Sequence, residues 1–543
     1  MTEPSDLSIL IIDPNPRMRS SLQGTLSQAS INRIDYASNA AAAVRLLNAK
    51  SFDIILCEYE LGDGVSGQDG QQLLEDLRRN KLIGASTIFI MLTSEAVPSK
   101  VVGTAELTPA DYILKPFTLD LLGSRIARAI ERRRVFMPAY QLLEQGRQQE
   151  AIEACLAGEA DNPRYGADFA RLRAELHLQL GQAEQAEQIY LDAIGAHGAD
   201  WAHFGLARAL FARQRFDEAR ASLSELITRN PRLMAAYDML AKTHEALGET
   251  GAAQQVLEDA VSISPNVVQR LRHLGGVAQA AGDIGAAERA FRQVVTKVKY
   301  SEFRDPEDHL NLVKALVSKG DADQAGSVIR DLERTSRGSP NVATCSAIAA
   351  GLLLELNGNA RGAANEFTLA AETVGTAKGL SSRLRVGLMH NCLEHQLDHA
   401  ASNVVLSLMN DADNALTVEQ AGGLFAQAGR PDLAREIGVK VEQQVATMMS
   451  EAAEKSRQGE LREAVALLAR AVRKMPANVD LLLTSVEAIL AQINAFGWEA
   501  PLAEQAAEQM HTVARLDPAQ PALTALHEGY ARAQAKYGIS TWA

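Results

Sequence analysis

Four side chains able to do chemistry stand where short apolar runs end. Asp13 follows the run from Leu7 to Ile12, Glu58 follows Ile54 to Cys57, Thr93 follows Ile88 to Leu92, and Lys115 follows Tyr112 to Leu114. An acid at the mouth of a buried run, as Glu58 is in FDIILCEYELGDG, is open to acid–base catalysis, to metal ligation or to plain solvation, and its type alone does not choose. The elements that must position these groups narrow the choice. Helical spacing appears between the runs, at Met18, Leu22 and Leu26, from Ala40 to Leu47, from Gln71 to Arg78, near Val101, and from Leu119 to Ile130. Apolar strands alternating with helices predict a parallel, doubly wound α/β sheet covered on both faces. The functional crevice of such a sheet lies at the carboxyl ends of its strands, so Asp13, Glu58, Thr93 and Lys115 are expected to converge there.

Composition bounds the rest. A chain of 543 residues exceeds one hydrophobic core and calls for several domains or an elongated repeat array. Aromatic residues make up only 5% while alanine is abundant, which favours close helix packing over β-sandwich layers. A net charge of -13 argues against a general nucleic-acid binder, since nonspecific affinity comes mostly from Lys and Arg. Cys57, Cys155, Cys345 and Cys392 are widely spaced without a CxxC pair, so neither a disulfide framework nor a zinc ribbon is expected, and a reducing cytoplasm fits. The start, MTEPSDLS, lacks the basic-then-apolar pattern of a signal peptide, and the most apolar helical run, Ile348 to Leu354, ends at Glu355 well short of a bilayer span. No membrane insertion is expected.

The set Asp13, Glu58, Thr93 and Lys115, with LysProPhe after the last run, resembles the receiver domain of bacterial response regulators, over roughly the first quarter of the chain. The resemblance implies a flavodoxin-like fold of five parallel strands over residues 1-130. It places Glu58 at the phospho-acceptor position, Thr93, Tyr112 and Lys115 in the switch, and Asp13, Glu58 and the backbone carbonyl of Glu60 around Mg²⁺. It also implies a histidine kinase upstream and allows a homodimer. Two departures bear on this. Pro14 stands where the family has a second Mg²⁺-binding acid, and Glu58 stands where it has Asp. The extra methylene moves the carboxylate out by roughly 1.5 Å, which displaces it from in-line attack. Glu58 leaning toward Lys115 and Thr93 brings about one negative charge where a phosphoryl group brings nearly two. Three readings stay open: a phosphorylation-independent receiver, a fixed on-like state, and phosphorylation through another geometry. The Glu60 and Asp63 side chains read as solvated turn residues.

The last receiver helix runs through Arg132 to Arg134 toward Pro138, so residues 131-138 read as a stiff helical connection rather than a flexible linker. Beyond it the sequence repeats. An alanine recurs at Ala151, Ala186, Ala219, Ala253, Ala287, Ala325 and Ala363, then less cleanly at Ala401, Ala434 and Ala464. The spacing centres on about 34 residues, the period of helix pairs stacked in a solenoid. Five positions earlier stand turn glycines such as Gly146, Gly181, Gly248 and Gly282; twelve earlier, small residues such as Ala174, Ala207 and Gly275; four later, large apolar residues such as Tyr190, Leu257 and Phe291. Pro163, Pro231, Pro265 and Pro476 end second helices.

This pattern is similar to tetratricopeptide repeats (TPR) and predicts an all-α superhelical solenoid of about ten helix pairs over residues 139-543. By that resemblance the inward faces of the first helices form a groove for a protein or peptide partner, lined by Asp168, Arg171, Trp201, Phe204, Arg208, Asp238, Lys242 and Arg272. Packing between repeats is the competing role for Trp201 and Phe204. His390, Cys392, His395 and His399 invite a metal site, but the repeat register puts an interhelix turn among them and breaks their common face. No GxSxG, Walker A or HExxH motif stands in its needed context, and no enzyme is expected. The sequence thus describes a cytoplasmic, response-regulator-like signalling protein whose receiver controls binding or self-association through the array. The alternative is a constitutive scaffold whose receiver only docks or dimerises.

Overall fold

β-branched and leucine-rich runs become buried strands because both faces of a parallel sheet are covered. In the computed structural model, which describes residues 7–28, 31–61, 69–94, 110–197, 200–265, 267–299, 301–335, 341–377, 379–410, 416–517 and 520–537, these runs form β1 (Ser8–Ile12), β3 (Ile54–Glu58), β4 (Ile88–Thr93) and β5 (Asp111–Leu114). A further strand, β2 (Arg33–Ala37), pairs with β1 at the sheet edge. Its sequence, RIDYA, is half polar because an edge strand is wetted, and no apolar run announced it. The sheet order is β2-β1-β3-β4-β5 with every pairing parallel, the doubly wound flavodoxin-like order. Its register aligns Ile12 with Cys57, Glu58 with Leu92 and Thr93 with Leu114, which brings the chemistry-bearing residues to adjoining strand ends.

Helices α1 (Pro16–Gln28), α2 (Ala40–Ala49), α3 (Gly70–Arg79) and α4 (Leu119–Glu144) accompany the sheet. Asn39 caps α2, Asp69 and Gln72 form a capping box on α3, and Thr118 caps α4. One core layer gathers Leu10, Ile55, Leu73, Leu77 and Phe89, and the opposite layer Ile9, Leu22, Leu56, Ile90 and Leu122. The helix expected near Val101, and Asp63, lie outside the described residues. α4 runs unbroken through Pro138, so one helix belongs to both the sheet and the first helix pair.

Helix pairs follow, and their turns are uniform. Gly146, Gly181, Gly248, Gly282, Gly320, Gly358, Gly429 and Gly459 all have φ between 73° and 82°, a region other residues avoid. The two units without this glycine keep the same geometry, with Gln214 at φ 60° and Gln396 at φ 58°. The recurring alanines are fully buried from Ala151 to Ala401, and again at Ala464, while Ala434 is only partly covered. Small and large positions meet directly: a Cβ added to Gly275 would lie 2.5 Å from the Phe291 ring, and one added to Gly351 2.6 Å from the Phe367 ring.

The chain divides into two compact units, Met1–Ser336 and Arg337–Ala543, so the sheet and the first helix pairs share one unit. In the second unit, the helix ends at Glu394, Gln396 turns the chain, and a new helix starts at Asp398. Cys392 is buried and His395 packs against Phe367, so the four candidate metal ligands straddle the turn. Among the described residues one helix, Val479–Phe496, has the length and hydropathy of a membrane span. It buries Leu481, Val486, Ile489 and Ile493 within the unit and carries Asp480 and Glu487.

The close packing predicts opposite outcomes for two glycines. A Cβ on Gly205 would lie 2.1 Å from the Tyr190 ring, whereas one on Gly123 in α4 meets nothing within 4 Å. Gly205→Ala is expected to cost about 1–3 kcal/mol, and Gly123→Ala to stabilise by about 0.5–1 kcal/mol. Urea denaturation followed by circular dichroism measures both.

Candidate functional site

The strand ends bring Asp13, Glu58, Thr93 and Lys115 together, each by a backbone anchor. The Asp13 amide donates to Ala37 O (3.1 Å), and the Lys115 amide donates to Thr93 O (2.7 Å). Lys115 Nζ donates to Asp13 Oδ2 at 3.1 Å and to Glu58 Oε2. The other Glu58 oxygen accepts from the Glu60 amide at 3.3 Å, and Asp13 Oδ1 accepts from the Asn15 amide at 2.8 Å. All three charged side chains are largely buried, and Thr93 is buried beside them. Burial pulls the Lys115 ammonium down, but its bonds to Glu58 and Asp13 more than reverse this, so it stays charged above the ordinary Lys range.

Chemically, the longer glutamate reaches the ammonium and closes an ion pair on it. A Mg²⁺ ion would need oxygen ligands converging on one vertex. Receiver domains as a class bind Mg²⁺, but here Asp13 and Glu58 converge on Lys115, and Pro14 adds no carboxylate. As arranged, these donors do not fit the ion. Glu60 contributes its amide to Glu58, and its side chain points to solvent.

Tyr112 leads away from this cluster. Its ring packs on the receiver core, and its hydroxyl donates to Gln71 Oε1 at 3.1 Å. Burial raises the Tyr112 phenol to about 12, with the charges of Asp69 and Glu75 adding to it. Gln71 Nε2 in turn donates to Glu75 Oε1 at 3.4 Å. Glu75 faces out of the receiver toward the helix pairs, yet it is only 8% exposed. Gln72, Glu75 and Asp76 of α3 lie against Gln269, Arg272, Lys297 and Phe303. Sequence reasoning placed α3 but missed its role, because nothing local marks an acidic helix face for burial.

The residues expected to line a partner groove are distributed differently. Phe204, Asp238 and Lys242 line a cavity of about 310 Å³ that Glu75 also borders. Asp238 is bound through both oxygens by Arg270 (2.7 and 2.8 Å), and Arg272 holds Asp308 in the same way (2.7 Å each). Arg208 binds Glu175 (2.6 and 2.7 Å), and Asp168 pairs with Arg132 of α4 at 3.1 Å. Arg171 is half-buried on the same helix as Asp168. Trp201 packs edge-on to Tyr190 at 6.2 Å, inside a repeat core.

Residues 9–127 match the response regulator receiver domain, and residues 167–190, 201–225 and 235–267 match tetratricopeptide repeats. The chain is therefore a receiver domain fused to TPR helix pairs. Its receiver part is similar to the chemotaxis protein CheY-3 of Vibrio cholerae, with 25% identity over 127 residues, covering 23% of this chain and 94% of that protein. It is also similar to the chemotaxis protein CheY of Pseudomonas aeruginosa, with 25% identity over 126 residues, covering 23% and 98%. Among solved structures, a tetratricopeptide repeat protein from Parabacteroides merdae aligns at 15% identity and TM-score 0.33, covering 48% of this chain and 98% of that one. The chemotaxis response regulator CheY4 of Vibrio cholerae aligns at 20% identity and TM-score 0.21, covering 23% and 98%. The pairing of these two folds points to protein partners in general.

Two outcomes follow from the geometry. Lys115→Ala strands two buried carboxylates and is expected to destabilise the receiver by about 3–5 kcal/mol in urea titrations, with the double variant Glu58→Gln, Lys115→Met regaining part of the loss. Burial, reinforced by Asp69 and Asp76 and opposed by Gln71 and Arg270, raises Glu75 from 4.5 to about 7. Asp238, Lys242, His273, Arg272 and Lys297 are the other charged or titratable groups around its two cavities. A raised carboxylate contributes stability that is complete below the unfolded value of 4.5 and is lost as pH rises through about 7. The unfolding free energy from urea titrations is expected to fall across that window by up to about 3 kcal/mol, and Glu75→Gln to flatten the dependence.

Proposed function

We propose that this chain is a response-regulator-like signalling protein whose receiver governs protein–protein binding by the TPR array. One observation carries the reading: Glu58 holds Lys115, and the neighbouring Tyr112 is hydrogen-bonded to α3, the helix that lies against the array. In a receiver of this fold the ammonium and hydroxyl serve a transferred phosphoryl group. Here the Glu58 carboxylate takes that place with a single charge. The reading therefore makes the resting receiver phosphorylation-independent, its strand-end cluster closed by Glu58. Binding rather than catalysis is the output of this reading, since Asp13, Glu58 and Lys115 at one site and Arg208, Asp238 and Arg272 at the other are engaged in ion pairs that hold structure. The net charge of -13 supports a protein partner over nucleic acid, and four buried free cysteines accord with a reducing cytoplasm.

The second reading, a constitutive scaffold with a retired receiver, is favoured by Pro14 and by the closed Glu58–Lys115 pair. Incubation with acetyl phosphate and Mg²⁺, followed by intact mass measurement, separates the two. Wild type is expected to gain no phosphoryl group, and Glu58→Asp to gain one and to change its elution volume in sizing. If Glu58→Asp takes up phosphate with no change in size or in proteins captured by the array, the receiver does not govern the array and the scaffold reading stands.

A further inference from the structure

α3 is buried on two sides. Leu73, Leu74 and Leu77 face the receiver core, as any receiver helix requires. Gln72, Glu75 and Asp76, spaced i, i+3, i+4 and so on one stripe, face Val268, Gln269 and Arg272 of one first helix and Lys297 and Phe303 near the next. The charges match across this contact. Asp76 acts on Arg272, Asp69 on Lys297, and Arg270 on Glu75. The receiver is also held at both ends of the stripe. Arg133 of α4 binds Asp53 at 2.7 Å, and Ser86 binds Glu144 at 2.8 Å. At the far end Arg45 pairs with Glu302 at 3.6 Å, and Phe303 packs on the receiver core.

Yet the fit is imperfect. Among the described residues no cation closes an ion pair on buried Glu75: Arg270, which shares its cavity, is already bound by Asp238 through two donors. Beside Glu75 the cavity of about 310 Å³ runs along Phe204, Met239 and Val267, with Lys242 at its rim. A buried carboxylate without its own counter-ion weakens a contact, and an unfilled apolar wall forgoes dispersion. Both make α3 a displaceable occupant.

We propose that α3 of the receiver masks the inner face of the array, and that the array's partner is an amphipathic helix bearing adjacent carboxylates and a large apolar residue, which must displace α3 to bind. The carboxylates would meet Lys242 and Lys297, beside the Arg272–Asp308 pair, and the apolar residue would fill the cavity against Phe204 and Met239. The Tyr112–Gln71–Glu75 hydrogen-bond chain gives the strand-end cluster a route to the latch: losing the Tyr112 bond frees the glutamine that holds Glu75. The inference rests on the reading that the array binds protein.

The test uses the full chain and a fluorescent, helix-stabilised peptide of residues 69–80 as probe. Glu75→Lys opens the latch from the receiver side, by repulsion from Lys242, Arg270, Arg272 and Lys297, and Phe303→Ala opens it from the array side. Both variants are expected to raise amide exchange in α3 and to bind the peptide at least tenfold more tightly than wild type. A peptide with Lys at both acidic positions corresponding to Glu75 and Asp76 is expected not to bind. Equal affinity for wild type and both opened chains overturns the masking. Faster exchange in α3 without peptide binding overturns the acidic-helix partner, and a dimer formed by Phe303→Ala without peptide binding makes a second copy the occupant instead. Peptide binding that responds to Glu75→Lys but not to Glu58→Asp with acetyl phosphate upholds this inference while refuting receiver control through the strand-end cluster.

Discussion

A single buried ammonium organises the N-terminal domain. Lys115 lies between Asp13 and Glu58 and ties together the ends of β1, β3 and β5. Burying three charges is costly, and their mutual pairing and the amides of Glu60 and Asn15 offset it. The same bonds that stabilise the strand ends also occupy the groups that a phosphoryl transfer would use.

From that cluster, order passes outward along short, specific contacts. β5 carries Tyr112 next to the Lys115 end, Tyr112 holds Gln71, and Gln71 holds Glu75 on the stripe that meets the helix pairs. Such a chain transmits a signal only if its members have two arrangements that differ in free energy. On the proposed masking, the burial of Glu75 would narrow the gap between those arrangements, since an exposed carboxylate regains the hydration that the docked one forgoes. Because α4 is continuous into the first helix pair, a release of α3 would leave that connection in place.

The array depends on a different constraint, a left-handed residue at the turn between the two helices of each described pair from Gly146 to Gly459. Gln214 and Gln396 adopt it although a side chain there costs of order 1–3 kcal/mol. Stacking of neighbouring pairs enforces the turn where the local sequence does not favour it. Small-against-large packing at Gly275 with Phe291 and Gly351 with Phe367 sets how closely the two helices of a pair approach, so the spacing within each of these pairs is built into side-chain volume.

Periodicity and strand-end chemistry made much of this legible beforehand. The buried strands, the turn glycines and the convergence of Asp13, Glu58, Thr93 and Lys115 follow from local patterns, because burial on both faces and a left-handed turn each impose a residue type. β2 did not, since an edge strand is wetted and its alternation is weak. Nor did the fate of the groove residues: Trp201 went into a repeat core, while Arg208, Asp238 and Arg272 found carboxylate or guanidinium partners some 30 residues away along the chain. The sequence alone determined which folds are present and which groups meet at the strand ends. Only the tertiary structure decided that Glu58 closes on Lys115 and that α3 lies on the array, because both depend on which charges come within reach once separate elements pack.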